Sequence, residues 1–324
     1  MKTISIDNEN KRNNFLIPFL LLLSLIVLPL FIKHAYFMHV MIMVFIYAIV
    51  AEAWNILGGY TGQISLGNAM FFGVGAYTSS ILLINFKVNP WLGLMLGGIC
   101  AVILAILVGF PVFRLRSHYF VIATLAAGEI IMAVFLNWNY VKGATGLELP
   151  LMEDSLKGMT FSYNKNGFYY IGLGMLTILV TLVYLLTKSK LGYYFKTIKE
   201  DEDAARSIGI NTTAYKLVAI SMTAFFTAIA GSVYAQYLLY IDPAMVFPTS
   251  LSVKFVLIAA LGGAGTVFGP VLGAFILIPI SEMTRVFFGG GGQGIDLLFY
   301  GALIVFVALF KPDGLITLFQ KNNK

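Results

Sequence analysis

Apolar runs, each close to the roughly twenty residues that carry a helix across a bilayer, follow one another along almost the whole chain. They fall near residues 15–32, 38–57, 65–85, 91–110, 118–138, 167–187, 215–240, 251–262, 268–288 and 294–310, about ten spans in all. The eighth is short and runs into glycines, as a half-helix would. Composition agrees: 59% of residues are hydrophobic and 11% charged, against roughly 25% charged in soluble domains. The expectation is an all-α polytopic membrane protein. The first run is preceded by Lys11 and Arg12. It is long for a signal-peptide core, and no A-x-A-like site follows at Lys33–Tyr36, so it reads as an uncleaved first helix.

Basic residues set the orientation, because loops on the cytoplasmic side collect Lys and Arg. A cytoplasmic N-terminus puts Lys2, Lys11, Arg12, Arg114, Arg116, Lys188, Lys190, Lys196, Lys199, Arg206, Lys216, Lys311, Lys321 and Lys324 inside. Lys33, Lys87, Lys142, Lys157 and Lys165 then lie outside, with Arg285 near that face. The asymmetry suits an even number of spans with both termini in the cytoplasm. The net charge of +6 therefore sorts by membrane side and carries no case for nucleic acid. The single cysteine, Cys100, excludes a disulfide framework.

The most polar stretch is Lys188–Lys216, with six basic and four acidic residues out of 21 + 15 charged residues in the chain. It reads as a long cytoplasmic loop holding a short helix over Lys199–Ile208. Gly209 stands where a glycine ends such a helix. A charged first half followed by Ala204, Ala205 and Ile208 is the form of a helix that docks against a partner.

Two glycine-rich junctions stand apart. In Gly58–Tyr77 the small residues Ser65, Ala69 and Gly73 recur every fourth position; in Gly262–Ala274, Gly265, Gly269 and Gly273 do the same. Tight helix packing accounts for most of these glycines. Paired glycine-interrupted segments also mark helix breaks around a central path, and Gln63, Ser65 and Asn68 supply polar groups that suit a path lining. Ionisable residues inside spans are costly and informative. Glu52 lies near the inner end of the second span and Lys254 in the eighth. Glu129, near the middle of the fifth, has no charged neighbour in its own helix and suits either an aqueous path or a buried partner. Glu282 and Arg285, three apart, read as a structural pair at the outer interface.

Catalytic signals are absent. The chain has no G-K-[ST] tripeptide and so no phosphate-cradling loop. His34, His39 and His118 are scattered without a second ligand at helical spacing, which leaves no metal site, and no G-x-S-x-G elbow or Cys/His pair occurs.

Several runs together resemble one family. Ala53–Tyr77 (AWNILGGYTGQISLGNAMFFGVGAY), Tyr119–Asn137 with Glu129, Lys142–Pro150 (KGATGLELP), Leu191–Asp242, Leu261–Ala274 and Phe310–Leu315 (FKPDGL) are similar, in order, to the permeases of branched-chain amino-acid ABC importers. The resemblance implies a type II ABC importer permease-like fold in a bacterial plasma (inner) membrane. Residues 1–14 and 311–324 would be cytoplasmic tails, 15–310 the transmembrane permease domain and 188–214 its coupling loop. The family's E-A-A-x3-G coupling helix matches Asp203-Ala204-Ala205 and Gly209, with Glu202 just before, and would fit a groove on an ATPase subunit. Asp203 stands for glutamate, Asn68 where histidine is usual, Lys254 where an acidic residue is common, and Met132 for a frequent arginine. The implied assembly has a second related permease, two ABC ATPase subunits and an extracytoplasmic solute-binding protein. ATP would bind those subunits, so the permease itself would be no enzyme and hold no cofactor. Urea or short amides are the alternative solutes. A secondary transporter is the alternative mechanism, but it would have no use for a docking helix.

Overall fold

The computed structural model describes residues 22–32, 34–115, 117–151, 154–161, 165–287, 301 and 314–318. The helices are α1 (Leu22–Phe31), α2 (Ala35–Leu57), α3 (Asn68–Phe86), α4 (Pro90–Val112), α5 (Ser117–Asn137), α6 (Asn166–Lys188), α7 (Lys190–Glu200), α8 (Glu202–Ser207), α9 (Thr212–Leu238), α10 (Pro243–Val246), α11 (Thr249–Gly262) and α12 (Gly269–Phe287). Two short strands, β1 (Leu147–Glu148) and β2 (Tyr240–Ile241), pair antiparallel with Leu147 opposite Ile241. Among the described residues eight helices are long and apolar enough to cross a membrane, α10 and α11 counting together as one. The all-helical, multi-span architecture holds. Of the first expected span the structure describes α1; the tenth, 294–310, lies outside the described residues apart from residue 301.

Within a bilayer the lipid tails are as apolar as leucine, so helices associate through close packing of small residues rather than by hydrophobic exclusion. That rule organises the core. Helix α9 packs along α2, α3 and α4. Helix α4 turns Gly93, Gly97, Ala101, Ala105 and Gly109, a small residue every fourth position, to the interior. A Cβ at Gly97 would sit 3.1 Å from the Gly75 carbonyl oxygen. One at Gly75 would fall 2.2 Å from the Ala228 oxygen, and one at Gly231 2.0 Å from the Phe72 oxygen. The Ser232 hydroxyl donates to the Gly75 carbonyl at 2.9 Å where the three helices meet. This α4 stripe, which is neither of the two expected from the sequence, lines the contact of the three helices.

The expected stripes have other partners. Ser65 precedes α3 rather than lying on it. Gly73 makes room for the Phe247 ring, which a Cβ would meet at 2.2 Å, while Gly273 lies against the Ile258 backbone of α11. The third span is one continuous helix, α3, whereas the eighth is interrupted. Residues 58–67 run without helix before α3 begins, and the eighth span breaks at Phe247–Pro248 between α10 and α11. Proline has no N–H to continue the helical ladder. The span is thus broken at its start, and α11 also ends in the expected glycines, with residues 263–268 outside helix.

The loops fall into the same two groups that the basic residues separate. At one end, here the basic end, Gly62 and Gly265 lie against Lys199, Gly314 against Gly263, and the Lys216 ammonium 6.0 Å from the centre of the Phe113 ring. At the opposite end Trp91 Nε1 donates to the Leu156 carbonyl (2.7 Å), Asn85 Nδ2 to Tyr140 (2.9 Å), and Lys165 approaches Tyr237. Glu282 and Arg285 do not form the expected pair. The Glu282 carboxylate instead faces His39 Nε2 at 3.8 Å, and His39 Nδ1 lies 2.7 Å from the Tyr237 hydroxyl. Glu282 is turned to His39 of α2, which Tyr237 of α9 holds in turn. Lys254 directs its ammonium over the Tyr47 ring (4.4 Å) and towards Ser281 Oγ (3.4 Å).

The three-helix contact should tolerate no added volume. Gly75→Val should destabilise the detergent-solubilised protein by about 1–3 kcal/mol or more, the range for overpacking. Gly174→Ala, whose Cβ would meet nothing within 4 Å, should be neutral or stabilise by up to about 1 kcal/mol through helix propensity. Thermal unfolding followed by size-exclusion chromatography distinguishes the two; equal melting would contradict the packing account.

Candidate functional site

Two groups of the sequence-derived residues gather in separate places. The first is the polar segment after α6. It is not a loop: α7, α8 and the first turn of α9 occupy most of it. The expected helix Lys199–Ile208 is divided at Asp201, whose extended backbone (φ −156°, ψ 114°) ends α7 and caps α8. The Asp201 carboxylate accepts from the Asp203 and Ala204 N–H groups at 2.9 and 3.0 Å. An aspartate is well suited to this role because its oxygens reach the open N–H groups of the first turn. Lys199 and Glu200 therefore belong to α7.

The far end of α8 closes as expected. Gly209 adopts φ +87°, a left-handed conformation that favours glycine. Its N–H donates to the Arg206 carbonyl at 3.0 Å and the Ile210 N–H to the Ala205 carbonyl at 3.1 Å. This pair of bonds is the Schellman arrangement, which satisfies the last carbonyls of a helix.

The six-residue α8 is too short to hold itself together. Its own chain fixes it. Helix α7 buries Gly192, Phe195 and Ile198 against the protein, and outside the bilayer each of the two large side chains contributes about 1.5–3 kcal/mol. On α8, Ala205 is fully buried and Glu202 turns to α9. The Glu202 carboxylate accepts from Lys216 Nζ, from Arg206 Nη2 at 2.7 Å and from Thr212 Oγ1 at 3.2 Å; Arg206 Nε in turn donates to Thr212 Oγ1 at 3.0 Å. The Lys216 side chain is only 4% exposed. Burial pushes the Glu202 carboxyl up, but the Lys216 hydrogen bond, the Lys216 and Arg206 charges and the Thr212 hydroxyl outweigh it and hold the carboxyl below its ordinary value.

This placement divides the five expected coupling residues. Ala205 and Glu202 face the protein and hold α8 in place. Asp203, Ala204 and Gly209 are exposed, beside Ser207 and Ile208, the last with 73% of its surface free.

Helix α7 also touches the glycine junctions, which meet in space. Asn55, near the end of α2, accepts the Gly265 N–H at 2.7 Å through Oδ1 and donates to the Thr266 carbonyl at 2.8 Å through Nδ2. Gly265 holds the turn in a left-handed conformation, φ +86°. A Cβ at Gly59 would collide with Asn55 Oδ1 (1.9 Å) and the Gly265 nitrogen (2.5 Å). Lys199 lies over both junctions: its Cγ is 3.3 Å from a Cβ at Gly62, and its Nζ 3.2 Å from one at Gly265. A cation there faces the C-terminal ends of α2 and α11, where helix dipoles favour positive charge.

The second group lies deeper in the bundle, at the start of α3. Leu66 N–H donates to Thr124 Oγ1 (3.2 Å), Gly67 N–H to Ser65 Oγ (3.3 Å) and Ala69 N–H to Ser252 Oγ (2.8 Å). A Cβ at Gly67 would come within 2.3 Å of the Thr124 carbonyl on α5. Ser65 and Asn68 are fully buried, and Gln63 is partly exposed. The Asn68 amide has no hydrogen-bond partner for either its oxygen or its nitrogen, an arrangement that costs about 1–3 kcal/mol for a buried polar group. Glu129, exposed at mid-length of α5, accepts a hydrogen bond from the Thr249 hydroxyl at the start of α11. The start of α3 and the start of α11 thus both meet α5, at Thr124 and Glu129. Asn55, Lys199, Lys216, Thr249 and Ser252 were not singled out for these contacts. Their partners lie far away in sequence, so spacing alone gave no sign of them.

The family described as "branched-chain amino acid transport system / permease component" matches residues 36–308. The chain belongs to this family. Among its relatives are the high-affinity branched-chain amino acid transport system permease protein LivM of Salmonella typhimurium, 29% identical over 87% of this chain and 70% of that protein. The LivH permease protein of the same system and organism is 25% identical over 83% of this chain and 91% of its own length. The autoinducer 2 import system permease protein LsrC of Escherichia coli O157:H7 is 26% identical over 84% and 80%. With eight apolar helices among its described residues the permease is a multi-pass protein of the bacterial inner membrane, and its family is one of transport components rather than enzymes.

The Glu202–Lys216 contact gives a direct test within the permease. Glu202→Gln should loosen α8 by about 1–3 kcal/mol, because it strands a nearly buried ammonium. Adding Lys216→Met should recover much of the loss. Because the folded-state carboxyl titrates below its ordinary value, its contribution is complete at neutral pH and is lost as pH falls through the folded-state value. The protection factors of α8 amides, corrected for the intrinsic pH dependence of exchange, should therefore stay flat across the neutral range and fall only in acid; equal protection in native and Glu202→Gln protein would refute the anchoring role.

Proposed function

We propose that this chain is the permease subunit of an ATP-driven importer for branched-chain or related amino acids. It pairs with a second related permease, two ATPase subunits that bind and hydrolyse ATP, and an extracytoplasmic solute-binding protein. The basic end is cytoplasmic, as the positive-inside rule requires, and the solute path runs past Gln63, Ser65, Asn68 and Glu129. The permease contributes no catalytic group and holds no cofactor.

The observation that carries the reading is the division of α8. One face, Glu202 and Ala205, is consumed by its own chain, while Asp203, Ala204, Ser207 and Ile208 stay exposed on a helix locked at both ends. A rigid helix with a small residue at its centre and a free apolar side chain, held outside the apolar spans, suits a groove on a partner. A carrier driven by an ion gradient has no need of it. Family membership over residues 36–308 supports an importer permease, and the relatives named for branched-chain amino acids support that solute class. LsrC, named for autoinducer 2, belongs with them, so the solute is read from the relatives rather than from the coupling helix.

In this reading Ala204, not Ala205, is the contact that a bulky residue blocks. Complex purified through this chain and reconstituted in vesicles should take up leucine with ATP and binding protein present. Ala204→Trp should abolish uptake and release the ATPase subunits on purification while leaving the permease folded. Asp203→Asn should be mild, since exposed pairs contribute only about 0–1 kcal/mol. Full ATPase retention and transport by Ala204→Trp would remove α8 as the coupling element.

A further inference from the structure

A cluster of aromatic rings lies next to the polar group at the start of α3, one to two turns further along that helix. Phe247 occupies the break between α10 and α11 and is 1% exposed. Its ring lies 4.7 Å from Phe135 and 5.7 Å from Tyr77, the latter stacked at 22°, and Tyr77 is itself 4.9 Å from Phe135. Gly73, five residues along α3 from Asn68, has no side chain, and the Phe247 ring fills the space that a Cβ would take, at 2.2 Å. The order along α3 is therefore the unpartnered Asn68 amide, the Phe247 ring, then Tyr77, whose buried hydroxyl also has no hydrogen-bond partner. Beyond Tyr77 lie the loops of the opposite end, where the β1–β2 pair joins residues 147–148 to 240–241.

We propose that Phe247 is the residue that closes the solute path on the side away from the coupling helix; the proposal rests on the path reading given above. Two buried polar groups without partners, one on each side of an apolar ring, are what a wettable passage leaves when it is stoppered. No hydrogen bond of the Phe247 side chain has to break for the ring to leave. It is held by ring contacts and by the notch at Gly73. The backbone around it is already interrupted: α10 has four residues, capped by Asp242 through the Met245 N–H at 2.8 Å, and Pro248 cannot continue the ladder into α11. The next residue, Thr249, bonds to Glu129. Movement of the α10–α11 break would thus withdraw the ring and release the Glu129–Thr249 contact together.

The test uses the assembled complex, with permease, ATPases and binding protein, in vesicles. Cys100, the single cysteine, is replaced by serine and Asn68→Cys is introduced. With Phe247 present and no ATP, residue 68 should react slowly with a membrane-impermeant maleimide added on the binding-protein side. Phe247→Ala should raise that rate about tenfold or more, as expected when an open state of roughly 0.1–10% population becomes dominant. It should also let radiolabelled leucine leak without ATP. Gly73→Ala, which expels the ring from its notch, should do the same, while Phe247→Leu should stay closed. A folded Phe247→Ala complex whose residue 68 responds to ATP as before, with no leak, overturns the gate and leaves the path intact. If residue 68 reacts in no variant and no nucleotide state, the path reading fails and the gate with it.

Discussion

The packing of α9 against α3 without clearance, with α4 laid closely over both, is the constraint on which the rest of the structure depends. Backbone oxygens of Ala228 and Phe72 lie where a Cβ of Gly75 or Gly231 would be, so the three helices cannot slide past one another without separating. In a solvent that offers no hydrophobic reward for helix association, such shape fit is what holds spans in register. Helix α9 then extends this fixed frame in both directions. Towards the basic end it carries Thr212 and Lys216, which hold Glu202 of α8. Further along, Thr223 donates to the Ala53 carbonyl of α2 at 2.8 Å. At the opposite end the chain turns through β2 into α10 and the Phe247–Pro248 break.

The importer reading uses this frame as a lever. A push on the exposed face of α8 reaches α9 through the Glu202–Lys216 contact, and reaches the glycine junctions through α7, where Lys199 covers Gly62 and Gly265. The junctions are clamped to each other by Asn55. The elements that begin or end there are α2, α3, α11 and α12, of which α11 belongs to the interrupted span. Energy delivered at α8 thus has two contiguous routes to the Asn68–Glu129–Thr249 level. Both routes start on helix, because the segment that the sequence presents as a loop is helical through α7 and α8.

The sequence made the succession of apolar spans and the end of α8 at Gly209 legible because each depends on local composition. Runs of about twenty apolar residues are helices in a bilayer whatever their neighbours, and the glycine at 209 ends a helix by its own backbone freedom. What stayed hidden depends on residues distant in sequence. Ala205 looks the same as Ala204 until α9 covers it. Glu202 reads as one more exposed acid until Lys216, fourteen positions on, is found nearly buried against it. Glu282 reads as the i, i+3 partner of Arg285 until α2 brings His39 to it. The α4 stripe of Gly93, Gly97, Ala101, Ala105 and Gly109 was open to the same periodicity argument that found the other two, and its continuous apolar surroundings masked it.

The central claim is that α8 moves as one body with α9. A reducible bifunctional maleimide joining Glu202→Cys to Lys216→Cys, in a Cys100→Ser permease assembled with its ATPases, tests it directly. The untethered double variant lacks the ion pair and should transport poorly for each ATP hydrolysed. Tethering should restore coupled uptake, and reduction of the tether should lose it again. A tethered complex that hydrolyses ATP yet stops transporting, and regains transport on reduction, would show that α8 has to move relative to α9, and would contradict the account.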